Sequence, residues 1–374
     1  GATTDSTDIA FTEINNSLPN GLTLNDQGAG NQTATITGTL TDSVSSDTTT
    51  NNIRIQAKAN NDVKRITEVN ESSGVGAVSI TKKAGGEPVL FNARRYVGSG
   101  VAPRDINGFG FKPDFIWIKE RVDTDWHVLY DSVRGVASQL FSNNSNAQGT
   151  SATQVTSFNP DGYTFGNTGA GNADGQATIA WAWKAGTSFA PTAGNYTNPV
   201  GSKNTAGGFS IVKVTAGSSA AGTSTVEHGL DQKPDFIIGK ALSGTYNWDV
   251  FHKDLTGGYT STKRLNLNDD TGEINYYTGG WGVTDSQFNT GGTAWHGANT
   301  DVIYYCFHAV SDVSAFGKYT GTGGALSVSD QSGATNCGFN PRWIMIKLLG
   351  TDSTHGDGPW VMFDNFRDTG TIDA

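Results

Sequence analysis

The sequence predicts an all-β chain of tandem antiparallel β-sandwich modules, of the jelly-roll or lectin-like kind. Three observations predict it. Short β-branched and aromatic runs alternate with stretches of Ser, Thr, Asn and Gly, and glycine reaches 49 of 374 residues with no collagen period. No apolar pattern keeps a helical period over three turns, so a helix has no continuous stripe to bury. One phrase is stated three times. Gly110-Phe111-Lys112-Pro113-Asp114-Phe115-Ile116-Trp117-Ile118-Lys119 returns as Gln232-Lys233-Pro234-Asp235-Phe236-Ile237-Ile238-Gly239-Lys240, and again as Gly338-Phe339-Asn340-Pro341-Arg342-Trp343-Ile344-Met345-Ile346-Lys347. The prolines lie 121 and 107 residues apart. That is the length of a small domain, well beyond a solenoid repeat of about 20–50 residues.

Composition excludes several function classes. Only 16% of residues are charged and the net charge is -10, so nucleic acid would meet mostly like charge and is not an expected partner. No apolar run reaches the ~18 residues that a membrane-spanning helix needs, and the first residues do not have the build of a signal peptide. The two cysteines, Cys306 and Cys337, supply neither a disulfide framework nor a tight metal-ligand spacing.

The elements follow in order. Residues 1–60 hold three short strands, around Leu22 and Leu24, around Ala34-Thr35-Ile36-Thr37, and around Ile53 and Ile55. Their alternation fits half-buried strands. Leu18, Pro19, Gly21 and Leu22, followed by Ile36, Gly38 and Thr39, resemble bacterial and phage immunoglobulin-like domains, which implies a spacer or stalk unit. Residues 61–90 read as a linker or joining strands. The first repeat spans 91–186, a linker 187–206, the second repeat 207–310, and 311–374 begin a third. The third carries no closing aromatic strand of the kind seen at Trp181 and Tyr305. An exposed sheet edge is therefore expected there, filled by continuing chain or by another polypeptide.

The repeated anchors are Pro113, Pro234 and Pro341, then Trp126, Trp248 and Trp360, then Trp181 and Tyr305. Proline has no N–H for a sheet ladder and suits the entry to a strand. The runs after it are apolar at every position, which predicts inner strands covered on both faces. The three tryptophans should plug the core near its rim, while Lys119, Lys240 and Lys347 should mark emergence into solvent. Asp131 with Arg134, and Asp364 with Arg367, predict turns held by a carboxylate–guanidinium pair.

No catalytic residue, metal site or cofactor emerges. The six histidines form no metal-like pair, and nucleophile-elbow, phosphate-loop and dinucleotide fingerprints are missing from the sequence. For ligand binding, Trp281 and Trp295 lie in polar Gly-rich surroundings and are the expected exposed platforms for a sugar. The loop holding Asn266, Asp269 and Asp270 lies beside them as a third candidate.

Tyr96, Gly98 and Gly100, the segments 110–119 and 126–135, Asp161 to Thr164 and Ala180 to Trp183 together resemble a module of structural proteins of tailed, particularly marine, bacteriophages. The likeness covers roughly 91–374. It implies a non-enzymatic virion component, a tail or head fibre or adhesin that attaches to a host or particle surface, with a host-surface glycan as a ligand. It also implies a homotrimer held among other virion proteins and located on the virion. A purely structural capsid or tail scaffold is the alternative reading, and a polysaccharide depolymerase a third.

Overall fold

The computed structural model describes the backbone of seven strands before residue 82, and residues 90–367 apart from 122–123, 170, 218–223, 278, 292, 312, 321–336, 338, 340 and 351–355. It has two compact units, residues 1–88 and 89–374. Strands β1 (Ala10–Glu13), β4 (Ile55–Ala59) and β5 (Asp62–Lys64) form one antiparallel sheet of the first unit. The other sheet is made by β2 (Leu22–Asp26), β3 (Thr33–Gly38), β7 (Val78–Thr81) and β6 (Val69–Glu71), in that order. The sequence shows three of these seven strands before residue 60, and residues 75–80 read as a further strand in the joining segment. Those after residue 60, read as a joining segment, pair inside the same two sheets.

In the second unit the first repeat contributes β8 (Phe91–Val97), β9 (Arg104–Asn107), β10 (Phe115–Glu120), β11 (Val128–Asp131), β12 (Ser138–Phe141), β13 (Gly149–Thr150), β14 (Val155–Asn159), β15 (Gly162–Phe165) and β16 (Ala177–Trp183). They form a six-stranded sheet, β13-β12-β11-β10-β16-β8, and a three-stranded sheet, β14-β15-β9. Strand periodicity sorts the side chains of the larger sheet. Ile116, Ile118, Ala180 and Ala182 face Tyr163 and Phe165 of the small sheet and Phe109 from the loop after β9. Phe115, Trp117, Trp181 and Trp183 face the opposite way, into a larger core shared with the later repeats. The apolar runs are thus covered on both faces. The β14–β15 turn needs Gly162, because a Cβ there would sit 1.9 Å from the carbonyl oxygen of Ile106. Before it, the Asp161 carboxylate accepts the Gly108 and Gly110 N–H groups at 2.9 and 2.6 Å, fixing the approach to the proline phrase.

The second repeat contributes β19 (Phe209–Ala216), β20 (Thr225–Glu227), β21 (Phe236–Ala241), β22 (Asp249–His252), β23 (Lys263–Asn266), β24 (Ile274–Asn275), β25 (Gln287–Asn289) and β26 (Asp301–Phe307). Ahead of them, β17 (Thr187–Phe189) and β18 (Tyr196–Asn204) occupy the expected linker. That expectation is corrected: the segment is a hairpin completing an eight-stranded sheet, β17-β18-β19-β26-β21-β22-β23-β24. Pro199 falls where pairing with β19 shifts register between Thr197 and Val200, so its missing N–H is tolerated. Strands β20 and β25 form a separate pair. Helix among the described residues is limited to α1 (Thr293–His296) and a 3-10 turn at Gly258–Thr260. The protein is an essentially all-β fold of several antiparallel sheets with sandwich-type layering.

The third repeat shows β27 (Trp343–Lys347) paired with β28 (Trp360–Asp364). Trp343, Met345, Trp360 and Met362 pack inward on the large core. Ile344 and Val361, on the opposite face, are 41% and 40% exposed. Their counterparts in the first repeat are covered by its small sheet.

Register equates the repeats more sharply than motif spacing does. Phe115 faces Asp131, Phe236 faces His252, and Trp343 faces Asp364. Trp360 faces Lys347, and Trp248 lies one step beyond the Gly239–Asp249 pair, opposite Lys240. One step beyond Ile118–Val128, the residue opposite Lys119 is His127, not Trp126. The expected equivalence of Trp126 with Trp248 and Trp360 is therefore off by one. Shifting a strand residue by one moves it to the other face, and Trp126 is 48% exposed where Trp248 is fully buried. Trp126 is not a core plug.

Candidate functional site

The residues shared by the repeats converge on the junctions between them. At the first junction the second repeat packs on the first. Phe209 lies 6.0 Å from Phe115, the Tyr305 hydroxyl donates to Asp131 at 2.7 Å, and Trp248 Nε1 donates to the Phe141 carbonyl at 3.0 Å. At the second, the first repeat packs on the third. Phe91 lies 6.1 Å from Trp343, and Trp181 Nε1 donates to Asp364 at 3.1 Å. At the third, the third repeat packs on the second. Phe316 lies 6.0 Å from Phe236, and Trp360 Nε1 donates to the Asn266 carbonyl at 2.8 Å. Counterpart residues make counterpart contacts in one direction, two on one, one on three, three on two. Head-to-tail contacts that return to their start form a closed ring with approximate threefold symmetry.

The first junction also holds a buried ion pair. Asp131 Oδ2 pairs with Arg134 Nε at 2.5 Å, and the two side chains are 0% and 1% exposed. The other carboxylate oxygen accepts the backbone N–H groups of Val133 and Arg134. The expected Asp-x-x-Arg turn is present here and at Asp364–Arg367, 2.7 Å apart. The repeated lysines do not emerge into solvent as expected. Lys240 is fully buried, and its ammonium donates to the carbonyls of Ser145, Ala241 and Tyr246 at 3.3, 3.0 and 2.9 Å. Lys347 donates likewise to the carbonyls of Asp269 and Gly358. Lys119 is half-buried and donates to the Glu120 carbonyl. Three carbonyls replace the water that an ammonium loses on burial, which is why snorkelling is unnecessary.

Asp249 is a group that sequence reasoning missed, and Lys240 one that it placed in solvent. Burial lowers Lys240 to about 8 and raises Asp249 to about 8, although Arg264 lies 2.8 Å from the carboxylate. Displaced acid and base groups are one mark of a catalytic site. Both residues are 0% exposed, however, so no substrate reaches them without unfolding the sheet. Among the described residues, no group of three or more His, Cys, Asp or Glu is placed to hold a metal ion.

The expected sugar platforms are corrected. Trp281 is fully buried, stacked on Tyr276 at 4.3 Å, with its indole N–H donating to the Lys263 carbonyl at 2.9 Å. Trp295 is 2% exposed and packs near Tyr304. Both look isolated in sequence because their apolar neighbours come from other strands. The Asn266–Asp270 loop is a junction element. The Asn266 amide donates to Asp269, the Asn266 and Asp269 carbonyls receive Trp360 and Lys347, and Gly272 N–H donates to Asp357 at 2.8 Å. Asp270 alone of the three loop candidates is exposed.

One buried histidine gives a pH dependence with a definite sign. His228 is fully buried, with Nδ1 accepting the Leu230 N–H and Nε2 donating to the Thr284 carbonyl, both at 3.1 Å. A second ring proton would face an N–H donor, and burial lowers the group to about 4. Its stabilisation is therefore complete above the unfolded value of 6.5 and is lost as pH falls through about 4. The expected loss is roughly 3 kcal/mol. Urea unfolding of wild type and His228→Gln across this range should show a shallower acid slope in the variant. The difference between the two separates His228 from Asp249, whose raised value acts oppositely. Parallel slopes would disprove the assignment.

The fold and junctions define a class: an all-β structural unit built from interlocked copies of one strand module. The chain belongs to the family described as "Domain of unknown function (DUF7483)", whose model matches residues 88–372. No curated protein and no solved structure matches the chain.

Proposed function

We propose that this chain is a non-enzymatic virion protein of a tailed bacteriophage. In this reading it is a fibre unit of jelly-roll-like β-sandwich modules behind an immunoglobulin-like spacer, assembled as a homotrimer among other virion proteins. The observation that carries the non-enzymatic reading is the use made of the polar residues that the repeats share. Asp131, Asp364, Lys240, Lys347, Trp248 and Trp360 all spend their donors or acceptors on joining or bracing modules.

One observation favours a scaffold within the particle over glycan capture. The indole faces proposed for a sugar are inside the core, and the candidate loop packs on the chain's own third module. An electron-microscopy map of the intact particle tests this. Burial between shell or tail subunits is expected for a scaffold, and a distal, solvent-facing position would favour attachment. Absence of the chain from the particle overturns both. Sedimentation of the full-length protein as a monomer removes the trimer, and cleavage of a host polysaccharide by purified protein removes the non-enzymatic reading.

A further inference from the structure

The turn between β14 and β15 lies against a reactive spot in the backbone. The sequence holds two Asn–Gly pairs, Asn20–Gly21 and Asn107–Gly108, and the second lies within the described residues. Asparagine followed by glycine is the pair at which a chain most readily deamidates, because a residue without a Cβ leaves its own nitrogen unhindered. The Gly108 nitrogen gives up its proton to water and attacks Asn107 Cγ. A C–N bond forms, the Cγ–Nδ2 bond breaks, and ammonia leaves. Water then opens the five-membered imide. Opening at the side-chain carbonyl gives aspartate. Opening at the main-chain carbonyl gives isoaspartate, which routes the backbone through Cβ and lengthens it by one carbon.

The fold requires the glycine. Gly108 has φ +96°, in the left-handed region, and a Cβ there would sit 2.6 Å from the guanidinium carbon of Arg94. Asn107 is exposed, so water reaches its side chain. The remaining point of control is the Gly108 N–H, and it is held twice by one residue. It donates to the Asp161 carbonyl at 3.1 Å and to Asp161 Oδ2 at 2.9 Å. The same carbonyl accepts the Phe109 N–H at 3.2 Å, and Asp161 Oδ1 accepts the Gly110 N–H at 2.6 Å. Asn107 is itself paired with Gly162 in the β9–β15 ladder, and its carbonyl accepts Arg94 Nε at 3.2 Å.

We propose that Asn107 is a deamidation site and that Asp161 is the clamp that holds it closed. The carboxylate acts in two ways. It occupies the N–H whose nitrogen is the nucleophile, and its negative charge opposes the anion that this nitrogen becomes on losing its proton. Turning the nitrogen toward Asn107 Cγ also breaks the strand pairing on either side of it. Once formed, isoaspartate at 107 displaces Gly108 and Gly110 from Asp161 and shifts β9 against β15, in the small sheet that covers Ile116 and Ile118. The Asp-Gly turn of the first repeat therefore has a chemical use beside its structural one, and the inference is independent of the virion reading.

Peptide mapping by mass spectrometry, on the 374-residue protein held in warm neutral buffer, reads the loss of the Asn107 amide. A synthetic peptide of residues 103–112 sets the rate without the clamp. The intact protein should react at least about tenfold more slowly than this peptide. Asp161→Ala should speed the reaction at Asn107 about tenfold, the factor that one hydrogen bond to a charged group supplies. Hydrogen exchange at the Gly108 amide should rise with it. Asp161→Ser keeps one side-chain acceptor and should fall between the two, and it serves as the second variant if Asp161→Ala does not fold. Equal rates in protein and peptide, no acceleration in either variant, or an equal rise at asparagines of the second repeat such as Asn268 overturns the proposal.

Discussion

Replacing Asp131 by alanine should destabilise the second unit by roughly 3–5 kcal/mol, the cost of breaking one side of a buried ion pair. The carboxylate is the common acceptor for Arg134, the Tyr305 hydroxyl and two backbone N–H groups, and both ends of the ion pair are sealed from water. Without it, Arg134 keeps its contacts to the carbonyls of Leu129 and Ser138 but holds a buried positive charge with no counterion among them. Asp364→Ala makes a natural comparison, since the Arg367 side chain is 26% exposed and retains access to water. A smaller loss is expected there. Urea unfolding followed by tryptophan fluorescence reads the correct part of the molecule, because all nine tryptophans lie between Trp117 and Trp360, outside the first unit. Equal losses for the two variants would contradict the burial argument.

Trp181→Ala should cost a comparable 3–5 kcal/mol, the range for truncating a large buried aromatic. Trp181 is fully buried, lies edge-on to Trp117 at 6.4 Å, and donates across the junction to Asp364. Truncation removes core volume and a hydrogen bond to a buried carboxylate together. Trp126→Ala is the matched control. It is nearly half exposed and meets only the edge of Phe141 in ring contact, so its effect should stay within about 0.5 kcal/mol. Comparable unfolding midpoints for the two variants would mean that the register assignment of Trp126 is wrong.

The proline phrases, the two-faced apolar strands, the Asp-x-x-Arg turns and the all-β class were legible in sequence, because each depends on a local rule. Period-two burial, a missing proline N–H and a side chain three residues from its partner are all short-range. The assignment of Trp126 failed because motif spacing cannot register a single-residue offset, whereas strand pairing cannot ignore one. The linker expected at 187–206 failed because β18 is defined by its pairing with β19 of the second repeat, which a local reading does not supply. Trp281 and Trp295 failed because burial is a property of neighbours. Tyr276 is five residues from Trp281 in the chain, but Phe251 and Phe288 reach it from other strands.

By itself the sequence determined that one strand-rich module is written three times and that its apolar strands are covered on both faces. Only the tertiary structure decided what the shared polar residues are for. Tyr305 is 174 residues from Asp131, and Trp181 is 183 residues from Asp364. Hydrogen bonds over such separations leave no periodic trace in the chain, since loop-closure entropy grows only slowly with length and any intervening spacing serves. The ring of junctions exists in the register of the sheets and nowhere in the order of the residues.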